Sequence, residues 1–224
     1  MTHNFPELYL LNDTFNDKTF QVGNSSLDTF RNGERIKLFD RDILLRGDIN
    51  KLKLPIIWYH EHGSKLGDVL NTGSVSLYLI SDKFRNILVE NKITGWKTFP
   101  VIVYDKKDEE VPGYHGFSIT GKSDPIDWSK SEIVTTHQNY DYLVKNTDAM
   151  RAVYPDWNPP PPIDFKRRKG LHPGLDGWDG SDMFIPKNSR YIIVTDKVYN
   201  ALAKSKLTHL ELENSNEYLS NPID

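Results

Sequence analysis

The segment Tyr78–Gly95 recurs as Ile192–His209 without a gap, at a constant separation of 114 residues. Asp82/Asp196, Lys83/Lys197, Asn86/Asn200, Leu88/Leu202, Lys92/Lys206 and Thr94/Thr208 are identical, and most other pairs keep their apolar or polar character. The same local pattern must therefore form the same local unit twice. Each copy reads as strand, cap, helix, strand. Leu77–Ile80 and Tyr191–Val194 are short, partly β-branched apolar runs that suit buried strands. Ser81 and Thr195 stand at N-cap positions, and Asp82 and Asp196 put negative charge in the first helical turn. Phe84, Ile87 and Leu88 recur at helical spacing, as do Val198, Ala201 and Leu202. Gly95 offers a helix-end or turn position. A second strand follows in each copy, at Thr98–Tyr104 and Leu210–Leu212. In a chain of 224 residues, a repeat at 114 reads as two related halves.

Around these units the chain is rich in strands and loops. Leu8–Leu11, Ile36–Phe39, Ile43–Leu45 and Ile56–Tyr59 are strand candidates separated by Asn, Asp and Gly turns. Lys106–Glu110, followed by Pro112-Gly113, reads as a charged hairpin loop between strands Val101–Tyr104 and Tyr114–Ile119. Tyr154–Ile163, with its four consecutive prolines, cannot continue a helix or a central strand. It reads as an extended, polyproline-like crossing segment. The expected class is α+β, with mixed or antiparallel sheets, few helices and two related strand-helix-strand units in two packed lobes. The expected division is an N-terminal lobe at 1–153, the crossing segment at 154–163 and a C-terminal lobe at 164–224.

Composition narrows the chemistry. The chain has no cysteine, which excludes a disulfide framework, an iron–sulfur cluster, thiolate zinc and cysteine catalysis. With 12% aromatic and 26% charged residues it is a folding sequence of ordinary surface polarity. A net charge of -3 gives no electrostatic argument for nucleic acid or an anionic membrane as partner. No apolar run approaches the roughly 18 residues that span a bilayer. The first residues lack the basic-then-apolar order of a secretory signal, so the cytoplasm is the expected location.

His60-Glu61-His62 follows the strand Ile56–Tyr59. Residues two apart share a strand face, so His60 and His62 could hold one zinc or iron if a third ligand came from His115, His137, His172 or a carboxylate. This supports an alternative reading as a metal-dependent hydrolase; as a bland reading, the two are polar residues at a strand end. Asp176, Asp179 and Asp182 are spaced by three in a Gly-rich loop. They lack the two-residue spacing and terminal glutamate of the familiar calcium loop, and read as a turn-rich surface loop whose carboxylates bind backbone N–H groups. Lys166-Arg-Arg-Lys169 is the one tight basic run and reads as a solvated loop face. Phosphate loops, a nucleophile elbow and a dinucleotide fingerprint are all missing from the sequence.

The run Ser81–Val101 resembles a stretch of bacterial immunity proteins of polymorphic toxin systems, a family first catalogued as a domain of unknown function. Pro112–Gly121 with Asp124-Pro-Ile-Asp127 is similar to the same group, as are Ser181–Phe184 and Ile193–Lys197 with the helix through Leu207. The resemblance spans roughly 75–127 and 179–212, and its motifs are packing and turn patterns that carry no catalytic residue. It implies a non-catalytic protein that binds a cognate toxin and masks or distorts its active site, with no cofactor. Such binding needs aromatic or Arg anchors and a charged rim. The candidates are Trp157 in the proline segment, Trp178 in the aspartate loop, and Trp96, Tyr114 and His115 near the first unit. Asp176, Asp179 and Asp182 would steer a basic toxin. An interaction module that docks a partner through the proline segment is a third reading.

Overall fold

The computed structural model describes residues 6–14, 16–23, 38–51, 54–137, 145–159, 161 and 163–223. In the first copy of the repeat, strand β5 (Tyr78–Ser81) runs directly into helix α2 (Asp82–Glu90), and strand β6 (Trp96–Phe99) follows. In the second copy, β14 (Ile193–Thr195) runs into α4 (Asp196–Ala203), and β15 (Leu210–Asn214) follows. The Ser81 hydroxyl accepts the Phe84 N–H, as an N-cap should, whereas the Thr195 hydroxyl makes no such bond. Lys92 and Lys206, at equivalent positions just beyond the helices, both adopt left-handed backbone with φ of 51° and 47°. The expected helix-end glycine, Gly95, lies further on, in the turn before β6, with φ of 85°.

The remaining strands complete two sheets. These are β1 (Leu8–Asp13), β2 (Gln21–Gly23), β3 (Ile56–His62), β4 (Val69–Asn71), β7 (Val101–Tyr104), β8 (Tyr114–Ile119), β9 (Gly121–Ile126), β12 (Pro173–Gly174) and β13 (Met183–Pro186). One sheet has the order β6-β8-β5-β4-β2-β3-β7, and the other β12-β9-β13-β14-β1-β15. The class is α+β with mixed sheets, as the sequence implies.

The pairing registers carry the duplication well beyond the run visible in the sequence. Val69 and Leu70 of β4 pair with Ile80 and Leu79; Met183 and Phe184 of β13 pair with Val194 and Ile193, each 114 residues later. Gly116 of β8 pairs with Leu79 on one side and Phe99 on the other. Leu10 of β1 pairs with Ile193 and Glu213, the equivalents of those two residues. Thus β1 does for the second copy what β8 does for the first. Parallel pairing of β2 with β4 is likewise matched by that of β9 with β13. The chain crosses from one sheet to the other after β1 and again after β8, so each half lends its first strand to the other half's sheet.

The seven-stranded sheet has a second peculiarity. Its edge strands β6 and β7 are consecutive in the chain and joined by Pro100 alone, so the sheet curls into a nearly closed barrel. Thr98–Tyr104, expected as one strand, is broken there because proline has no N–H to give the ladder. The Pro100 carbonyl instead accepts the Ile56 N–H at the start of β3. Alternation along β4 and β5 sends Leu70 and Leu79 into the barrel, with Val22, Trp58, Phe99 and Val103. Val69, Tyr78 and Ile80 join a second core with Phe84 and Leu88 of α2, Val198 and Leu202 of α4, and Ile185 and Val194 of the other sheet. Both faces of these strands are therefore buried, which explains their continuous apolar runs.

Several sequence expectations are corrected. Ile43–Leu45 is not a strand but part of helix α1 (Leu38–Arg46), which also takes in Leu38 and Phe39 of the expected strand Ile36–Phe39; Ile36 lies outside the described residues. Leu44 enters the barrel core while Leu45 enters the other core, and a short apolar run does not reveal that its neighbours face two cores. Strands β7 and β8 do not form a ladder as a simple hairpin, since β7 pairs with β3 and β8 lies between β5 and β6. The loop between them is held by Asp105, whose Oδ1 accepts the N–H groups of Lys107 and Glu109. The basic run is a strand rather than a loop.

The compact units fall differently from lobes at 1–153 and 164–224. The larger unit comprises 1–126 and 173–215, and so holds both repeat copies and both sheets; the smaller comprises 127–172 and 216–224. In the smaller unit, β10 (Glu132–His137) pairs with β11 (Asp164–Lys169), which contains the basic run, and helix α3 (Thr147–Val153) precedes the proline segment. The C-terminal tail adds to the outer edge of β11 through bonds from Ser220 N–H to Arg168 and from Ile223 N–H to Lys166. Pro160 and Pro162 lie outside the described residues.

Candidate functional site

The strand exchange brings the polar ends of the two repeat copies against each other. The Asp68 carboxylate, just before β4, accepts the Thr208 N–H at 2.9 Å, the Thr208 hydroxyl at 3.1 Å and the Ser81 hydroxyl at 2.8 Å. Asp182, just before β13, accepts the Thr94 N–H at 2.8 Å and the Thr94 hydroxyl at 2.9 Å. Each threonine hydroxyl in turn accepts the aspartate's own N–H, at 3.0 Å in both copies. The lysines follow the same rule. Lys83 donates to the Lys206 carbonyl and lies 3.6 Å from Asp68; Lys197 donates to the Lys92 carbonyl and lies 2.9 Å from Asp182.

Both aspartates sit 14% exposed at the side chain, so an unpartnered charge there would be costly. Burial pushes the Asp68 carboxyl upward, but the Thr208 N–H, the Ser81 and Thr208 hydroxyls and the Lys83 charge outweigh it and hold its pKa below the ordinary value. This reciprocal cluster holds carboxylates whose oxygens are taken by the protein itself. It locks the two halves together, and it explains why Lys83/Lys197 and Thr94/Thr208 match. Asp68 and Asp182 are absent from the gapless run, yet they stand at the same separation of 114, so extending the comparison upstream would have found them.

The aspartate loop resolves into separate roles. Asp179 caps its own turn and the start of β9: its carboxylate accepts the Ser181 N–H at 3.1 Å, the Lys122 N–H at 3.0 Å and the Ser181 hydroxyl. Asp182 belongs to the lock. Asp176 is exposed. Trp178 lays its ring on Phe184, 5.7 Å between centroids, and donates to the Ser181 carbonyl. Thr94, Gly95, Thr120, Gly121, Asp179 and Ser181 border a notch of about 400 Å3 beside this loop.

The aromatic candidates do not converge. Trp96 is half-buried against the helix core, with its indole N–H on the Ile93 carbonyl at 2.9 Å. Tyr114 lies at the opposite end of β8 from Trp96's partner Ile119, and its hydroxyl donates to the Gly67 carbonyl. Burial and the nearby Asp68 charge push its phenol up to about 12. His115 Nε2 lies 2.7 Å from Asp82 Oδ1 at the start of α2. Trp157 is in the smaller unit, half-buried, its carbonyl accepting from Arg151.

His60 and His62 both lie on β3, which continues past the expected end at Tyr59, and they pair with Val22 and Gln21 across a bulge. His60 Nε2 sits 2.5 Å from the Gly63 carbonyl, and its ring packs on Phe20. Among the described residues, no group of three or more His, Asp or Glu side chains could hold a metal ion, at these histidines or elsewhere. No helix among them is long and apolar enough to cross a membrane.

The smaller unit has a different surface. Among the described residues, five of the eight large hydrophobic side chains that are exposed belong to it: Ile133, Val153, Tyr154, Ile163 and Leu219. None of its described side chains belongs to either core cluster. Three of the four cations of its basic strand are tied down. Arg167 donates to Thr136 and the Ser220 carbonyl, Arg168 lies over the Trp128 ring and donates to its carbonyl, and Lys169 pairs with Glu217. No family model and no curated protein sequence matches this chain.

Proposed function

We propose that this protein is a non-catalytic immunity protein that binds and neutralises a cognate bacterial toxin, and that the smaller unit supplies much of the contact. The observation that carries the reading is the concentration of exposed apolar side chains in that unit, with Tyr154 60% and Val153 68% exposed beside the proline segment. Rigid aromatic and aliphatic side chains of this kind, ringed by charge, are what protein interfaces bury. The tied arginines of β11 support the same reading, because cations already engaged by the protein are poor grips for phosphate. The resemblance of the repeat units to immunity proteins agrees with it. A cytoplasmic location follows as part of this proposal.

The test is co-expression with whichever adjacent gene product proves toxic when expressed alone. Growth rescue and a stable isolated complex are expected, and Tyr154→Ala should weaken that complex roughly tenfold or more. Absence of both rescue and complex overturns the reading.

A further inference from the structure

The internal repeat offers a control within one molecule: a side chain in one copy shows what its equivalent space in the other copy would hold. In the first copy, the indole of Trp96 covers the groove between α2 and β6, packs against the core and donates to the Ile93 carbonyl. In the second copy, Leu210 stands at the position of Trp96, and Ala203 at that of Val89. Both are smaller side chains than their counterparts, and the Trp96 indole in particular has no equivalent in the second copy. The result is a cavity of about 250 Å3 between α4 and β15, lined by Tyr199, Leu202, Ala203, Leu207, Leu210 and Leu212. Leu212 replaces Thr98, which adds an apolar side chain to the lining, and Tyr199 is held in place by stacking on Tyr9 at 4.1 Å.

We propose that this groove receives the tryptophan side chain of a protein partner, with an acidic residue beside it. The cavity is smaller than the roughly 300–1,000 Å3 of ordinary ligand pockets and matches a single anchoring side chain. Leu207 stands where Ile93 does, so its carbonyl is placed to accept an indole N–H as the Ile93 carbonyl does. Exposed Lys206 lines the mouth and forms no ion pair among the described residues, which sets the preference for a neighbouring carboxylate. β15 is also an edge strand, so the partner's backbone can approach alongside. This inference rests on the proposed toxin-binding role for its biological partner, but not for its chemistry.

The chemistry is tested on the full chain with N-acetyl-tryptophanamide and N-acetyl-aspartyl-tryptophanamide, followed by methyl NMR. Saturable shifts confined to Leu202, Ala203, Leu207, Leu210 and Leu212 are expected, with the aspartyl probe binding more tightly. The 1-methyltryptophan analogue, lacking the N–H, should bind roughly threefold to tenfold more weakly. Leu210→Trp should abolish the shifts while leaving the melting temperature unchanged or higher, and Ala203→Val should weaken them in a milder background. Absence of saturable shifts, or shifts that persist in Leu210→Trp, overturns the proposal. With the toxin, a wild-type complex that Leu210→Trp weakens tenfold or more supports the groove as its docking site. Equal toxin affinity in the two proteins overturns the groove as the toxin's docking site while leaving the immunity role standing. Failure of the wild type to rescue overturns the immunity role, and the NMR titration still decides the groove.

Discussion

Asp68 and Asp182 stand 114 residues apart, and each is bound by the threonine of the opposite repeat copy, Thr208 on Asp68 and Thr94 on Asp182. The contact is therefore made twice, once in each direction, across the line where the two halves exchange strands. From that threonine each carboxylate accepts one backbone and one hydroxyl hydrogen bond, and Asp68 accepts the Ser81 hydroxyl besides, in a place with little water to replace them.

Asp68→Asn and Asp182→Asn should each cost about 1–3 kcal/mol, because charge-assisted bonds are lost and a mismatched amide is left in place. The two costs should be similar, and Thr94→Val and Thr208→Val should form a matching pair. Urea denaturation of the four variants checks this. A large loss from one copy only would mean that the lock is not shared.

Acid should loosen the same contact. The folded pKa of Asp68 lies below its unfolded value, so the unfolded chain binds the proton more readily and Asp68 contributes stability above the ordinary aspartate range. That contribution is lost as pH falls from about 4 through the folded pKa. His209 acts at higher pH: burial, with help from Lys65, lowers its pKa, so stability is full above about 6.5 and declines below it. Asp68→Asn should flatten the lower part of a stability–pH curve and leave the part near pH 6 intact.

The two N-cap hydroxyls should respond unequally. Ser81 binds both the Phe84 N–H and Asp68, and Ser81→Ala should cost about 1–2 kcal/mol. The Thr195 hydroxyl is buried without a partner among the described residues, so Thr195→Val should stay within about 0.5 kcal/mol of wild type. Thermal melts of the two variants side by side decide it.

Gly67 and His209 form a compensating pair. A Cβ on Gly67 would fall 2.0 Å from His209 Nδ1. In the other copy the positions are reversed in kind: Gly95 stands in place of His209 and Ser181 in place of Gly67, and a Cβ on Gly95 would fall 2.6 Å from Ser181 Cβ. Gly67→Ser alone should cost about 2 kcal/mol. Adding His209→Gly, which suits a backbone at φ of 60°, should recover most of it. Additive losses in the double variant would rule out the exchange.

Removing residues 1–13 should abolish the second copy's sheet, since β1 is its interior strand between β14 and β15. Hydrogen exchange should then show β14 and β15 unprotected, or the chain should fail to fold. A truncated chain with full protection at Ile193 and Leu212 would contradict the strand exchange.

Much of the local structure was legible in residue order. The α+β class and the two strand-helix units follow from hydrophobic period and cap chemistry, which act over a few neighbours. Leu44 and Leu45 misled for a local reason, since adjacent leucines facing two different cores look like a strand. Trp96, Trp178 and Tyr114 looked like free anchors because sequence does not say which polar atom a ring will find. Each finds a backbone carbonyl nearby in space. The exposure of Tyr154 and Ile133 left no sequence signal, since exposure is a property of what fails to pack on a residue.

The repeat itself was determined by the sequence: six identities in one gapless run specify the same strand, cap and helix twice, through interactions spanning a few residues. Which strand each copy pairs with was decided only by the tertiary structure. β1 and β8 hold equivalent places beside the two repeat copies, and their exchange depends on bonds between residues such as Leu10 and Ile193, 183 positions apart. No local preference encodes such a pairing. It is selected by the burial of both sheets on one shared core and by the reciprocal hydrogen bonds of Asp68 and Asp182, which exist only once the two halves have closed on each other.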